Sequence, residues 1–259
     1  TCAGAATIST VDNAADVGVH TAIAVPADGL PVISYHDLTA GTLKVAKCSV
    51  PACTSAVVTT VDDPAGQVGL YTAIAIGADG LPVISYLDSS ATALKVARCA
   101  NPACSGVATI TTVDDPANAV GTYTDIAIGT DGLPVISYRD ATAKALKVAK
   151  CSNAACSAAS ISTVDDPPAN HVGEFTSIAV GPDSLPVISH WDAAAGALRV
   201  AKCASASCSG AATITTVDDP AGVIGTTTTI VIGSDGLPTI SYGDGGILKV
   251  ARCGTRSCL

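Results

Sequence analysis

Residues 71–77 read Tyr-Thr-Ala-Ile-Ala-Ile-Gly, so that Ile74 and Ile76 fall on one side and Ala73 and Ala75 on the other. Alternation with a period of two predicts a β-strand. Ala78-Asp79-Gly80 follows and is a hairpin-turn signal. Leu81–Tyr86 predicts a second strand, with Pro82 near its start, where a missing N–H is tolerated. Asp88–Ala93 is a small, polar loop, Leu94–Cys99 a third strand and Ala108–Asp114 a fourth, stopped by Asp114-Asp115-Pro116. Nothing in the unit has helical periodicity. Four short strands in a meander make one propeller blade.

The unit is written five times. Its signature, DGLPVISY, recurs at Asp28–Tyr35, Asp79–Tyr86, Asp131–Tyr138, Asp183–His190 and Asp235–Tyr242, in steps of 51, 52, 52 and 52 residues. A period near 50 marks a propeller or an array. Residues 1–12 match Ala103–Asp114, the tip and fourth strand of a unit, while the chain stops after Leu248–Cys253, a third strand. The leading segment therefore supplies the strand the last unit lacks. A solenoid would need distinct polar caps instead. The expectation is an all-β, five-bladed β-propeller of four-stranded antiparallel blades. It forms one domain over 1–259, with repeats starting near 20, 71, 123, 175 and 227 and an N-terminal strand, 6–12, completing the last blade.

Composition narrows the setting. Apolar residues make up 48%, with one Phe, one Trp and no Met, so a core of small aliphatic side chains is available. The net charge is −9, which repels phosphate backbones and excludes nucleic acid as a partner. No apolar run approaches the roughly 18 residues that cross a bilayer, so membrane insertion is not expected. The sequence, with neither a leader peptide nor an initiating Met, reads as a mature, processed form.

Ten of the 11 cysteines form C-x4-C pairs: Cys48/Cys53, Cys99/Cys104, Cys151/Cys156, Cys203/Cys208 and Cys253/Cys258. Each pair sits at the tip that follows a third strand. Zinc needs four ligands, but one pair per repeat lies a whole repeat from the next, and no histidine recurs nearby. Disulfides are the favoured reading and place the chain in an oxidising, extracellular compartment. Cys2 aligns with the second cysteine of a pair, so Cys253 has two candidate partners, Cys258 and Cys2. Cys2 is then unpaired, or intermolecular, or it locks the ring.

Two sets of acids gather on one face. The first is Asp62/Asp63, Asp114/Asp115, Asp165/Asp166 and Asp218/Asp219, with Asp12 as a remnant; the second is Asp37, Asp88, Asp140, Asp192 and Asp244. Calcium, a hard cation taking six to eight oxygens, is the cofactor the second set would hold. The structural alternative is turn chemistry, in which Asp caps its own backbone. On that view Lys44, Lys95, Lys147, Arg199 and Lys249 lie across from the acids that end the fourth strands.

Catalysis wants unlike groups in one asymmetric place, whereas these acids come in fives. Only Glu174 and Asp125 are clear non-repeating acids, and no nucleophile-elbow, zincin or phosphate-loop motif occurs. The fourth repeat diverges most, with His171, Glu174, Phe175, His190 and Trp191 beside Asp192. A Trp among acids and imidazoles would stack a sugar ring and hold its hydroxyls; the alternative is that His190 and Trp191 fill space.

The core DGLPVISY-x-D…LKVAKC resembles units of secreted bacterial propeller proteins, and the blade count and displaced strand look like the tachylectin-2-like lectin architecture. The resemblance is architectural, and no sugar-binding motif transfers. The function expected from the sequence is a non-catalytic extracellular scaffold binding glycans or a cell-surface polymer at five equivalent sites. The second reading is a self-assembling structural protomer of a filament, and the third a glycosidase.

Overall fold

The computed structural model describes residues 6–117, 119–168, 171–219 and 224–259. Among them, five antiparallel sheets follow one another along the chain, and none of the described residues is helical. Blade 1 comprises β1 (Val17–Ala24), β2 (Val32–Asp37), β3 (Thr42–Cys48) and β4 (Ala56–Asp62). Blade 2 comprises β5 (Val68–Ile76), β6 (Pro82–Asp88), β7 (Ala93–Arg98) and β8 (Thr109–Asp114). Blade 3 comprises β9 (Val120–Ile128), β10 (Pro134–Asp140), β11 (Ala145–Cys151) and β12 (Ala159–Asp165). Blade 4 comprises β13 (Glu174–Val180), β14 (Pro186–Asp192), β15 (Ala197–Lys202) and β16 (Thr213–Asp218), and blade 5 comprises β17 (Ile224–Ile232), β18 (Pro238–Asp244) and β19 (Ile247–Arg252). The five-bladed propeller read from the repeat is the fold.

One feature of the closure differs. The last sheet has three strands, β17-β18-β19, and residues 6–12 carry no strand. These residues lie against blade 1 instead. Ser9 Oγ donates to the Ala52 carbonyl at 3.3 Å, and Tyr35 Oη donates to Asp12 Oδ2 at 2.7 Å. The segment is held by side-chain bonds to blade 1, so the edge of β19 is left unpaired by it.

Apolar faces join the blades. Val32, Leu43 and Val45 of blade 1 are buried with Ile74, Ile84 and Tyr86 of blade 2, and the pattern repeats down the chain. Burying each such side chain is worth about 1.5–3 kcal/mol. The approach is close enough to dictate a residue type. Gly69, at φ +90°, sits where an added Cβ would come within 2.9 Å of Leu43 Cα. Each boundary also carries a buried hydroxyl pair: Thr72 with Ser34 at 3.0 Å, Thr124 with Ser85 at 2.8 Å, Thr176 with Ser137 at 2.9 Å and Thr228 with Ser189 at 2.8 Å. Pairing two hydroxyls removes the cost of burying either alone.

All five C-x4-C pairs are disulfides. Cys48–Cys53, Cys99–Cys104, Cys151–Cys156, Cys203–Cys208 and Cys253–Cys258 have Cα–Cα separations of 4.6–4.9 Å. Cys253 therefore bonds Cys258, and Cys2 lies outside the described residues. The bonds differ from a purely local staple at a strand tip in two respects. First, the second cysteine of each pair takes the left-handed conformation, with φ of 53° at Cys53, 52° at Cys104, 55° at Cys156, 53° at Cys208 and 58° at Cys258. A β-turn sets it, in which the Cys53, Cys104 and Cys208 N–H groups donate to the carbonyls of Val50, Asn101 and Ser205 at 2.9, 3.0 and 3.0 Å. Second, most of the sulfurs belong to the core rather than to an exposed tip. Cys99 and Cys104 pack in the cluster between blades 1 and 2, and Cys203 and Cys208 in that between blades 3 and 4. Cys53 of the first blade is only partly buried. The cause is that the fourth strand of one blade lies over the cysteine tip of the next, as Ser162 Oγ does in donating to the Ser207 carbonyl at 3.1 Å.

The expected ion pairs form, but across blades. Leu43, not Lys44, stands opposite Asp62 in the β3–β4 register. Lys44 instead reaches Asp12 at 3.5 Å and Asp37 at 2.9 Å, and Lys147 reaches Asp114 of the preceding blade at 3.2 Å. The acid ending a fourth strand thus serves the next blade.

Candidate functional site

The inner strands β1, β5, β9, β13 and β17 converge on one axis. Each carries a residue in the left-handed conformation at the same repeat position: His20 (φ 51°), Tyr71 (52°), Tyr123 (53°), Phe175 (50°) and Thr227 (57°). In the first four blades a glycine at φ 83–91° stands two residues earlier. The pairing with the second strand shifts register there, as between Leu70 and Ala73. A bulge of this kind re-aims a side chain. The effect is a continuous aromatic arc. Ring centroids lie 4.4 Å apart for His20–Tyr71, 4.8 Å for Tyr71–Tyr123 and 4.6 Å for Tyr123–Phe175.

These residues and the threonines that follow them line an axial cavity of about 220 Å³. Its wall is therefore aromatic carbon interleaved with hydroxyls. Burial, then Tyr71 and Glu174, pushes the Tyr123 phenol up, so it is a neutral donor. Burial, followed by the charge of His36, holds His20 below its usual value.

The fourth-repeat candidates separate into two groups. Glu174 and Trp191 are cross-strand partners, and Trp191 lies 6.0 Å from Phe175, extending the arc. Glu174 Oε1 meets Arg139 Nη1 of blade 3 at 2.9 Å. His190, adjacent to Trp191 in an extended strand, points the other way. It is fully buried, its Nδ1 accepts from the Gly173 N–H at 3.4 Å, and its Nε2 is 3.4 Å from Asp165 Oδ2. It replaces the tyrosine of other blades, where Tyr86, Tyr138 and Tyr242 donate to Asp62, Asp114 and Asp218 at 2.6, 2.6 and 2.5 Å. Those tyrosines serve packing. Burial drives His190 down to about 3 and Asp165 up to about 6 despite Arg199. His171 precedes β13, and its carbonyl accepts from Ala193 N at 2.7 Å.

The five acids proposed for calcium do not converge. Asp37, Asp88, Asp140 and Asp192 each turn one oxygen on backbone N–H groups just downstream. The other oxygen meets Lys44, Lys95, Lys147 or Arg199 at 2.9, 2.8, 3.4 and 3.3 Å. Asp244 meets Lys249 at 2.6 Å. Among the described residues no cluster of three or more His, Cys, Asp or Glu could hold a metal. One acid per blade, each with its own cation, is the reason.

Asp125 belongs to a different arrangement. Its Oδ2 accepts from Ser177 Oγ at 2.9 Å and from Ile178 N at 2.8 Å. Burial raises its carboxyl. It ties β9 to β13 rather than facing the axis.

The arc as a set was not read from the sequence. The signal was there in Gly-x-aromatic: Gly18-Val19-His20, Gly69-Leu70-Tyr71, Gly121-Thr122-Tyr123 and Gly173-Glu174-Phe175.

No protein-family model and no curated protein sequence matches the chain. Solved structures do share its fold. A protein of unknown function from Dyadobacter fermentans superposes with a TM-score of 0.66 at 10% identity, covering 91% of this chain and 78% of that one. An α-L-arabinofuranosidase from Fusarium graminearum, in complex with an iminosugar inhibitor, gives 0.63 at 13%, covering 98% and 84%. An α-L-arabinofuranosidase from Lactobacillus brevis gives 0.55 at 11%, covering 90% of each chain. The class these likenesses define is the β-propeller.

They also correct the functional expectation. The repeat pattern predicts a non-catalytic scaffold with five equivalent sites, or a filament protomer. Glycosidases occupy this same architecture, and the symmetry argument fails on geometry. Five copies of one position on converging strands make a single pocket. The positions around it differ from blade to blade: His20, Tyr71, Tyr123, Phe175 and Thr227 stand at one repeat position and line it together.

Proposed function

We propose that the protein acts on carbohydrate. Its axial pocket takes one sugar residue of a glycan, and Glu174 is the carboxylate placed to serve a glycosidic bond there. The observation that carries this reading is the arc His20–Tyr71–Tyr123–Phe175 around a 220 Å³ cavity rimmed with threonines. Sugar rings present apolar C–H faces to aromatic carbon and hydroxyls to polar groups, and a mostly apolar pocket with few polar groups fixes their orientation. Two further facts support it: the Glu174–Arg139 pair joins β13, at the residue before Phe175, to β10 of blade 3, and arabinofuranosidases share the fold. Hydrolysis by the usual route needs two carboxyl groups flanking the bond. The described lining of the cavity holds no carboxylate; in this proposal Glu174, the residue before Phe175, is one of the two and the second comes from outside that lining. The five disulfides fit secretion or display at the cell surface.

The test is a panel of aryl arabinofuranosides, xylosides and galactosides assayed for release of the aryl group, alongside calorimetric titration with the free sugars. The expected result is binding by the wild type and turnover that Glu174→Gln removes while binding persists. Neither binding nor turnover across the panel would overturn the proposal.

A further inference from the structure

The axial cavity is not shared evenly among the blades. Blades 1 to 4 each line it with two consecutive residues, as Tyr71 and Thr72 do, whereas blade 5 lines it with three, Thr227, Thr228 and Thr229. The repeat position that carries His20, Tyr71, Tyr123 and Phe175 carries Thr227 in blade 5, in the same left-handed conformation. Its side chain therefore leaves the backbone as the four rings do, but is far shorter. Thr227 is exposed, while the four ring residues are half-buried. Gly243, the cross-strand partner of Thr226, stands where the other second strands carry His36, Leu87, Arg139 and Trp191. Blade 5 thus lacks bulk at two adjoining positions.

Three observations place a ligand in that sector. First, Tyr71 and Tyr123 each have a ring on both sides, at 4.4 to 4.8 Å and tilted by 31°, 50° and 51° along the arc. Rings this close cover one another, so the inner members offer the cavity little of their faces. His20 and Phe175, at the ends, each have one neighbour in the arc, and Trp191, 6.0 Å from Phe175, is outside the described lining. Second, Thr228 Oγ1 donates to the Phe175 carbonyl at 2.8 Å, which sets Thr227 next after Phe175 in the circle of inner strands. The same cavity wall then returns to His20. Third, His20 Nδ1 is buried with no hydrogen-bond partner among the described residues. A ligand hydroxyl would satisfy it.

We infer that the sector over Thr227 is the sugar subsite of the pocket. The ligand ring takes the place of the missing fifth aromatic, with its C–H face against Phe175 and its hydroxyls toward His20 Nδ1, Thr227 and Thr229. This rests on the carbohydrate reading above and fixes where in the pocket the sugar sits. Apolar sugar faces pack on aromatic carbon while a few polar groups set the orientation. Tyr123 backs Phe175 from the other side at 4.6 Å, and Tyr71 backs His20 at 4.4 Å. Four copies of the repeat supply rings, and the fifth supplies the room.

Thr227→Phe tests it, because it adds the fifth ring in a backbone conformation that Phe175 already adopts at φ 50°. Variant and wild type are titrated calorimetrically with arabinose, xylose and galactose. The expected result is a loss of about tenfold or more in affinity for whichever of the three the wild type binds, or the same rise in KM for an aryl glycoside it turns over, with the thermal midpoint not lowered. An affinity and KM unchanged by Thr227→Phe would overturn the subsite and leave the carbohydrate reading standing. Neither binding nor turnover by the wild type would overturn both. The second measurement needs no variant. Phe175 is the one Phe in the chain, so ring-labelled Phe gives a single set of NMR signals. Nuclear Overhauser contacts from the sugar C–H protons to that ring are expected in the wild type, and contacts to tyrosine rings with none to Phe175 would overturn the subsite.

Discussion

Tyr138 Oη donates a 2.6 Å hydrogen bond to Asp114 Oδ2 across the boundary between blades 2 and 3, and Lys147 Nζ meets the same oxygen at 3.2 Å. The acid that ends one blade is thereby the polar anchor of the next. A hydrogen bond to a charged group contributes about 1.5–3 kcal/mol. Tyr138→Phe should lose that amount in urea unfolding at pH 7 while the far-ultraviolet spectrum stays unchanged.

At the following boundary His190 stands where the tyrosine would be, and Asp165 rises to about 6 because burial outweighs Arg199. Asp12 and Asp218, which have tyrosine donors, are held below the usual carboxylate value, with Tyr35 and Tyr242 as the leading causes. A raised carboxyl contributes stability that is full below about pH 4 and lost as pH rises through about 6. At pH 7 Asp165 is therefore a cost. His190, held down to about 3, works oppositely: its contribution is present above 6.5 and is lost as pH falls toward 3. His190→Tyr should raise stability at pH 7 by about 1–3 kcal/mol and bring the Asp165 carboxyl titration, followed by carbon NMR, below pH 4.

Asp125 supplies acceptors to Ser177 and to the Ile178 N–H. Asp125→Ala leaves that N–H without an acceptor and should cost about 1–3 kcal/mol. Burial already disfavours the charged carboxylate, so the neutral Asp125→Asn, which keeps an acceptor, should cost under about 1 kcal/mol. Thermal melts of the two variants decide it. Equal losses would argue against the hydrogen bonds as the cause.

Tyr123 is the middle of the arc, within 4.8 Å of Tyr71 and 4.6 Å of Phe175. Tyr123→Ala should weaken sugar binding at the axial pocket about tenfold, the equivalent of 1.4 kcal/mol, as read by calorimetry. Tyr86→Phe, remote from the pocket lining, should leave binding unchanged.

Each disulfide closes a short loop, as Cys151–Cys156 does at a sequence separation of 5. Loop entropy assigns it about 2 kcal/mol. Cys151→Ala with Cys156→Ala should lose at least that in thermal unfolding, because both side chains are also buried in a core cluster.

The strands, turns and disulfides were legible because each is decided locally. Alternation over Tyr71–Gly77 reads directly as an inner strand, and Asp79-Gly80 as its turn, with Asp79 Oδ1 accepting from Leu81 N at 3.0 Å. Four of the C-x4-C pairs had no better partner in sequence than each other; for Cys253, with Cys2 as a rival, the structure chose Cys258. What spacing did not show is that Cys104 and Cys208 would be core residues while Cys53 is only partly covered, since that depends on the neighbouring blade. Asp37 and its counterparts each cap their own turn and meet a lysine or arginine of their own blade. Sequence position shows which face a residue shares but not which cation reaches it first.

The chain alone therefore determined the repeat, by its self-similarity, and the strands, turns and four of the cross-links, by patterns within about ten residues. The three-dimensional arrangement decided what the copies do together. Positive φ at His20, Tyr71, Tyr123 and Phe175 turns side chains from four separate blades toward one axis, and no local hydrophobic pattern carries that information. It also decided that Asp114 serves Tyr138 and Lys147 of the next blade. The physical reason is that polar and aromatic groups dozens of residues apart are brought within bonding distance only when whole sheets pack face to face, and that packing is set by all the buried side chains at once.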